Sequence, residues 1–328
     1  MKDLYFDNNY GKLYEKAENG RQEIFKFEDE NGVISNQFIK REVPYKVDGK
    51  TYFDLVSPYG YGGPVIEKLE GNKERLIKDF EIAFSDYCEK NNVICEFVRF
   101  HPLVKNYIDF ESVYNPIYMR KTLVTNLKDY DDPVQMEFSK SARKNIRQAI
   151  NKGVYYDIIE SPKDLKEFKT IYYATMDRNN ADDYYYFDDE YFENIIKYFG
   201  DNLILINAIF EGKTIASGIY FTYNKVIHIH LSGTLSEFLY LSPAYILRYA
   251  LTIWGKKNGY ELIHHGGGRS NDENDGLYLF KKNFAKNEDR DFYIGKKIWN
   301  NKIYDEICEL SGTDKNEKYF PAYRKVQK

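Results

Sequence analysis

A chain of 328 residues exceeds what one hydrophobic core ordinarily supports, so two domains are expected. With 43% hydrophobic and 30% charged residues it has an ordinary globular composition, and a net charge of −4 argues against a surface drawn as a whole to nucleic acid or anionic lipid. No apolar run reaches the roughly 18 residues of a membrane helix, and the opening MKDLYFDNN lacks a secretory layout, so a cytoplasmic protein without a transmembrane segment is expected.

In chain order, TYFDLV (Thr51 to Val56) reads as a strand, followed by the loop SPYGYGGP, Ser57 to Pro64. Leu76, Ile77, Phe80, Ala83, Phe84, Tyr87 and Cys88 then recur at helical spacing, and VICEFVRF from Val93 reads as a buried strand. The second half repeats this order. LILINAIFEGKTIASGIYFT (203–222) predicts a hairpin turning at Glu211-Gly212-Lys213, and KVIHIHL from Lys225 predicts a further strand. Ser242-Pro243 predicts the cap and first turn of a helix, AYILRYALTIWGKK, that is apolar almost all round. The strand YELIH from Tyr260 precedes His265 and Gly266, Gly267 and Gly268. Each half thus reads as strand, turn-rich loop, long helix and strand: two copies of one α/β module, with a boundary expected near 150/151.

Between the modules, Phe138, Ala142, Ile146, Ala149 and Ile150 form an apolar helical stripe, with Lys140, Arg143, Lys144 and Arg147 on the other face. Crowding like charges at helical spacing is unfavourable, so this face is either an anion-binding surface or simply solvated. Ser161-Pro162 predicts the start of a helix running to Met176, and Tyr191 to Phe199 another. Cys88, Cys95 and Cys308 have no paired spacing, which excludes a disulfide framework or cysteine metal cluster. His228 and His230 share a strand face without a third ligand at suitable spacing, and read as core histidines. His265, at a strand end, is a candidate proton acceptor.

Two glycine clusters have ligand-site character. In the first, Tyr59, Gly60, Tyr61, Gly62 and Gly63 follow a strand and precede a helix, and bare backbone there either makes a tight aromatic turn or offers amides to an anion. It is neither a Walker loop nor a dinucleotide fingerprint. In the second, Gly266 to Gly268 are followed by Arg269, which can meet an anion, and by Lys281. No G-x-S-x-G elbow occurs.

Taken together, FDLVSPYGYGGP (Phe53 to Pro64), KSARKNIRQAINKGV (Lys140 to Val154), YATMDRNN (Tyr173 to Asn180) and the run from Gly266 to Phe284 ending GLYLFKKNF resemble the Fem-type peptidyltransferases and their acyltransferase relatives in the GNAT superfamily. The resemblance implies an α/β fold of two tandem GNAT-like domains with a cleft between them: 1–150 for the acceptor, and 151–328 for donor and catalysis with its C-terminal tail returning to the first. Fem proteins move an amino acid from aminoacyl-tRNA to an amine on a cell-wall precursor, and relatives use acyl-CoA. The implied activity is an acyl- or aminoacyltransferase forming an amide on a cell-wall or surface-polysaccharide precursor, nucleotide-linked or lipid-linked, with no tightly bound cofactor, no metal and no DNA partner, and with peripheral membrane contact open. An acetyl-CoA-dependent N-acetyltransferase acting on an amino sugar, and a non-catalytic protein binding tRNA or a nucleotide sugar, are the alternatives. By motif position Lys281, after Phe280, matches the family lysine placed at the transferring carbonyl or nearby phosphate, and Arg178 matches an arginine for nucleotide diphosphate. The helical arm of staphylococcal-type members has no counterpart here, nor has the Gln/Arg-x-x-Gly-x-Gly/Ala loop of GNAT enzymes, where LSEFLYLSPAY stands.

Overall fold

The computed structural model describes residues 3–272 and 274–325. Its strands, in chain order, are β1 (Gly20–Asp29), β2 (Gly32–Val47), β3 (Lys50–Val56), β4 (Val65–Leu69), β5 (Val93–Arg99), β6 (Ile117–Asn126), β7 (Tyr155–Glu160), β8 (Leu203–Phe210), β9 (Lys213–Tyr223), β10 (Val226–Thr234), β11 (Leu262–Gly266) and β12 (Glu288–Ile298). The chain divides into two units, Met1–Arg120 with Asp291–Lys328, and Lys121–Arg290. The division therefore falls at 120/121, not at 150/151, and the last segment belongs with the first unit. The Lys140–Asn151 helix lies in the second unit because Ala142, Ile146 and Ala149 bury into the same core as Ile204, Ile206 and Leu247.

In the first unit the strands run β1-β2-β3-β5-β12, with β4 on β2. β3 and β5 are parallel, and the Lys73–Lys90 helix makes the crossover between them. That helix starts where the Asn72 side chain accepts the Arg75 amide, and it buries Leu76, Ile77, Phe80, Phe84 and Cys88, the predicted stripe. The second unit runs β6-β11-β10-β9-β8-β7. There β10 and β11 are parallel, and the Pro243–Lys257 helix crosses between them. Both predicted modules are thus parallel strand pairs bridged by one helix, as a crossover connection requires. The 203–222 hairpin turns as expected, with positive φ at Glu211 and Gly212.

Four local readings differ. The helix expected from Ser161-Pro162 begins only at Lys166 and runs to Arg178, Ser161 itself having a left-handed backbone. Ser242 precedes the helix in a left-handed conformation and makes no side-chain cap; Pro243 supplies the first-turn preference instead. The strand read as ending at His264 extends through His265 to Gly266, with an irregularity between His264 and Gly266 where it meets β6. Ile150 is 45% exposed and stands outside the apolar stripe, and Phe138 precedes the helix.

Candidate functional site

In the first unit, the glycine loop is built by packing. Gly60 and Gly63 both have positive φ, and a Cβ on Gly60 would lie 2.6 Å from the Tyr5 ring while one on Gly63 would lie 2.5 Å from Val98 Cγ1. Tyr61 is buried, its ring against Tyr5, His101 and Phe292. Burial holds its hydroxyl above the ordinary tyrosine range. The Tyr59 carbonyl accepts from the Tyr10 hydroxyl at 2.8 Å. The Gly62 amide donates to Arg99 O at 2.7 Å, and the buried Asn106 side chain donates to the carbonyls of Gly62 and Pro64, both at 2.9 Å. Of the two readings of this loop, the aromatic turn accounts for Gly60 and Gly63, and the Gly62 amide is not available to an anion. These contacts come from Tyr5 and Tyr10, about fifty residues upstream, and no local pattern announces them.

The second unit brings together two motifs far apart in sequence, the basic helix and the Phe280-Lys281 segment. Ser139 caps the Lys140–Asn151 helix by accepting the Ala142 amide at 3.0 Å; its own amide and hydroxyl donate to the carbonyl and side-chain oxygens of Asn283, at 2.8 and 2.7 Å. Phe280 packs against Tyr245 and Phe284, and Phe284 packs edge-on against Phe138. At the end of the Gly276–Lys282 helix, the Lys281 ammonium donates to the Gly267 carbonyl at 2.6 Å. That bond fixes the Lys281 charge over the second glycine cluster.

The remaining site candidates divide sharply by what already occupies them. Arg143 spends its guanidinium on the carbonyls of Phe138 and Gln135, bracing the turn before its helix, so it does not belong to a free cationic face. Lys140, Lys144 and Arg147 are exposed. Arg178 is exposed and donates to Thr234 O at 2.6 Å and Ser236 Oγ at 3.2 Å, closing the end of β10. In the second glycine cluster, Asp275 accepts from the amides of Arg269, Ser270 and Tyr278 at 3.0, 2.9 and 2.9 Å. Against the desolvation that would raise it, these amides bring Asp275 down to about 2. An internal carboxylate thus fills the donors that follow Gly268, and a Cβ on Gly268 would lie 2.5 Å from it. Gly266 is a strand residue paired with Leu123.

His265 is 3% exposed. The Thr125 hydroxyl donates to Phe284 O at 2.7 Å, so its single proton is spent and its oxygen accepts from His265 Nε2, also at 2.7 Å. The imidazole therefore carries its proton on Nε2 and a lone pair on Nδ1, which has no hydrogen-bond partner among the described residues. Burial, then the charges of Arg248 and Lys281, hold it well below the usual histidine range. A ring so placed is a neutral hydrogen-bond acceptor, poorly suited to carrying a proton away from an amine. The sequence reading passed over Arg248, although its signal was there: one cation inside a helix otherwise apolar.

Among the described residues no group of three His, Cys, Asp or Glu is arranged to hold a metal. His230 accepts or donates at 2.7 Å with the Tyr191 hydroxyl, and desolvation, then His228, lowers it to about 3.

Residues 89–212 match the FemAB family. The chain is 27% identical over 253 residues, 74% of its length, to a UDP-N-acetylmuramoylpentapeptide-lysine N(6)-alanyltransferase of Weissella viridescens, of which the match covers 71%. Over these residues the chain is similar to the Fem-type transferases. The FemAB match takes in Arg143, Arg147 and Arg178 and ends before Lys281. Among solved structures the fold is shared with FemX at a TM-score of 0.68 and 13% identity, covering 93% of this chain and 94% of that one. It is shared also with L-PGS from Bacillus licheniformis at a TM-score of 0.57 and 13% identity, covering 91% and 95%. No helix among the described residues is long and apolar enough to cross a membrane.

Proposed function

We propose that this protein is an aminoacyltransferase that forms an amide on a primary amine of a cell-wall or surface-polysaccharide precursor. The observation that carries the reading is its similarity, across three quarters of the chain, to an alanyltransferase whose acceptor is a lysine N6 on a nucleotide-linked muramoyl peptide. On this reading the acceptor is a nucleotide-linked peptide amine, after the relative's name, and the donor is an aminoacyl-tRNA, which the resemblance of the sequence motifs to Fem-type transferases favours over acyl-CoA.

In such a reaction the amine nitrogen attacks an ester carbonyl. The C–N bond forms, the C–O bond to the ribose breaks, the leaving oxygen takes up one proton and the nitrogen gives one up. The barrier lies in orienting a neutral amine and in the negative charge that gathers on the carbonyl oxygen. Lys281 supports the assignment of oxyanion stabiliser: its ammonium is pinned by the Gly267 carbonyl at 2.6 Å, so the charge is in place before the reaction begins. Phe280 and Phe284 fix the short helix that carries it against the core. Exposed Lys140, Lys144 and Arg147 supply phosphate contacts for the tRNA, and Arg178, with further donors beyond those given to Thr234 and Ser236, supplies one for the acceptor's diphosphate.

The test is a reconstituted reaction with aminoacyl-tRNA or acetyl-CoA as donor and a lysine-bearing nucleotide-linked peptide as acceptor, the products weighed by mass spectrometry. An aminoacyl mass gain from the tRNA donor supports the reading. An acetyl gain alone would replace it with N-acetyl transfer, and full turnover by Lys281→Met would remove its central residue.

A further inference from the structure

The Pro243–Lys257 helix lies in the core of the second unit through Ile246, Leu247, Ala250 and Leu251, yet Arg248 sits among them at 5% exposure. A buried guanidinium is normally matched by a carboxylate, because an unpaired charge away from water is costly. Among the described residues no acidic side chain pairs with this one. Among the described residues its single hydrogen bond runs from Nη1 to the Tyr220 hydroxyl at 3.4 Å, long for such a bond, and its Nε has no partner there. Tyrosine is neutral here, since burial raises its hydroxyl further from ionisation, so the charge of Arg248 stays unmatched.

The surroundings are shaped for polar contact. Tyr220 stands on β9 over Gly218, where a Cβ would lie 2.3 Å from the hydroxyl oxygen, so glycine at that position makes room for the hydroxyl. His265 shares a strand face with Ile263, two residues before it, and Ile263 packs in the same core as the helix. The charge of Arg248 bears directly on the His265 ring, as does that of Lys281. Arg248 thus lies with the Tyr220 hydroxyl and within electrostatic reach of the His265 imidazole, whose Nδ1 lone pair, like Arg248 Nε, has no hydrogen-bond partner among the described residues.

We propose that Arg248, with Tyr220 and His265, forms an oxyanion-binding site inside the second unit that takes a carboxylate or a phosphate group. Guanidinium is the side chain suited to this, because Nε–H and a neighbouring Nη–H present two parallel donors to two oxygens. The Tyr220 hydroxyl accepts from Arg248 and donates its own proton to the anion. His265 Nδ1, which cannot donate, accepts an N–H or O–H carried by the same ligand. The bound anion supplies the countercharge the core lacks.

Isothermal titration calorimetry of the intact protein tests this with sodium phosphate and sodium acetate as separate probes, at ionic strength matched with sodium chloride. Binding of either probe that weakens at least tenfold in Arg248→Met supports the site, and the probe that binds identifies phosphate or carboxylate. No binding of either probe, or equal binding by wild type and Arg248→Met, overturns it and leaves a buried arginine serving the core alone. If circular dichroism shows Arg248→Met unfolded, Arg248→Lys decides: it keeps the charge and loses the fork, so binding at least fivefold weaker supports the proposal and unchanged binding overturns it. None of these readouts uses turnover, so the outcome is independent of the transfer reaction.

Discussion

Replacing Glu96 by Gln should make the protein more stable at pH 8.5 and leave it little changed at pH 5. Glu96 lies on β5 at 1% exposure, where the Asn36 amide donates to Oε1 and the Tyr114 hydroxyl to Oε2, both at 2.8 Å. Desolvation outweighs those two donors and raises the carboxyl to about 7 from an ordinary 4.5. A raised carboxyl binds its proton more tightly in the folded chain. Below about pH 4.5 it is protonated in both states and costs nothing; stability then falls as pH rises towards 7, and above that the whole cost of a buried carboxylate is present. A difference of about 2.5 units corresponds to about 3 kcal/mol at 1.36 kcal/mol per unit. Glutamine does not titrate, so the wild-type deficit relative to Glu96→Gln should grow from under about 1 kcal/mol at pH 5 to about 3 kcal/mol at pH 8.5. Urea unfolding at both pH values measures this, read by fluorescence of Trp299, whose ring meets Phe84 and Tyr114 edge-on. Titrations elsewhere cancel in the difference between the two proteins. A difference that does not change between pH 5 and 8.5 would refute the reasoning.

Further outcomes follow from the geometry. Gly63→Ala should cost about 3 kcal/mol, from left-handed strain and the contact with Val98 together, whereas Gly212→Ala, with positive φ and open space, should cost about 1, both read as shifts in urea midpoint. Gly62→Ala, with nothing nearer than 3.5 Å, is the near-neutral control. Asp54 is buried and receives Arg41 Nε at 2.7 Å, the Tyr323 hydroxyl at 2.9 Å and Arg324 Nε at 2.5 Å, so Asp54→Ala, which takes the carboxylate from Arg324 and leaves Arg41 only Glu18, at 3.1 Å, among the described residues, should lose about 3 kcal/mol and loosen the C-terminal segment to proteolysis. If the exposed cations of the Lys140–Asn151 helix meet tRNA, Arg147→Glu should weaken aminoacyl-tRNA binding severalfold and flatten its salt dependence, while Arg143→Ala should instead act on stability, by about 1 kcal/mol, through the carbonyls it braces.

The parts of the fold legible in the sequence were those whose signals are local. The apolar spacing from Leu76 to Cys88, the Glu211-Gly212 turn and the Pro243 start each act within a few residues, and they yielded both parallel strand, helix, strand modules. β1 and β12 were not legible. β1 interleaves exposed Arg21, Lys26 and Glu28 with its half-buried positions, and β12 opens Glu-Asp-Arg-Asp, so each looks like a solvated segment until its partner, β2 or β5, is known. The 120/121 division was missed for the same reason: residues 291–298 meet β5 from nearly two hundred residues away. At the candidate site, the link between Ser139 and Asn283 and the filling of the Arg269 and Ser270 amides by Asp275 are contacts of folding, invisible to motif spacing. Arg248 was visible as a residue type but was submerged in an apolar average.

The central claim is that this chain hands an aminoacyl group to nitrogen with the aid of the Lys281 ammonium. The most direct measurement is the single-turnover rate of amide formation from aminoacyl-tRNA to a lysine-bearing nucleotide-linked peptide, compared between wild type and Lys281→Met. The account predicts a product heavier by one aminoacyl residue, formed about 10² to 10³ times more slowly by the variant. Equal rates, or no aminoacyl product from the folded wild type, would contradict it.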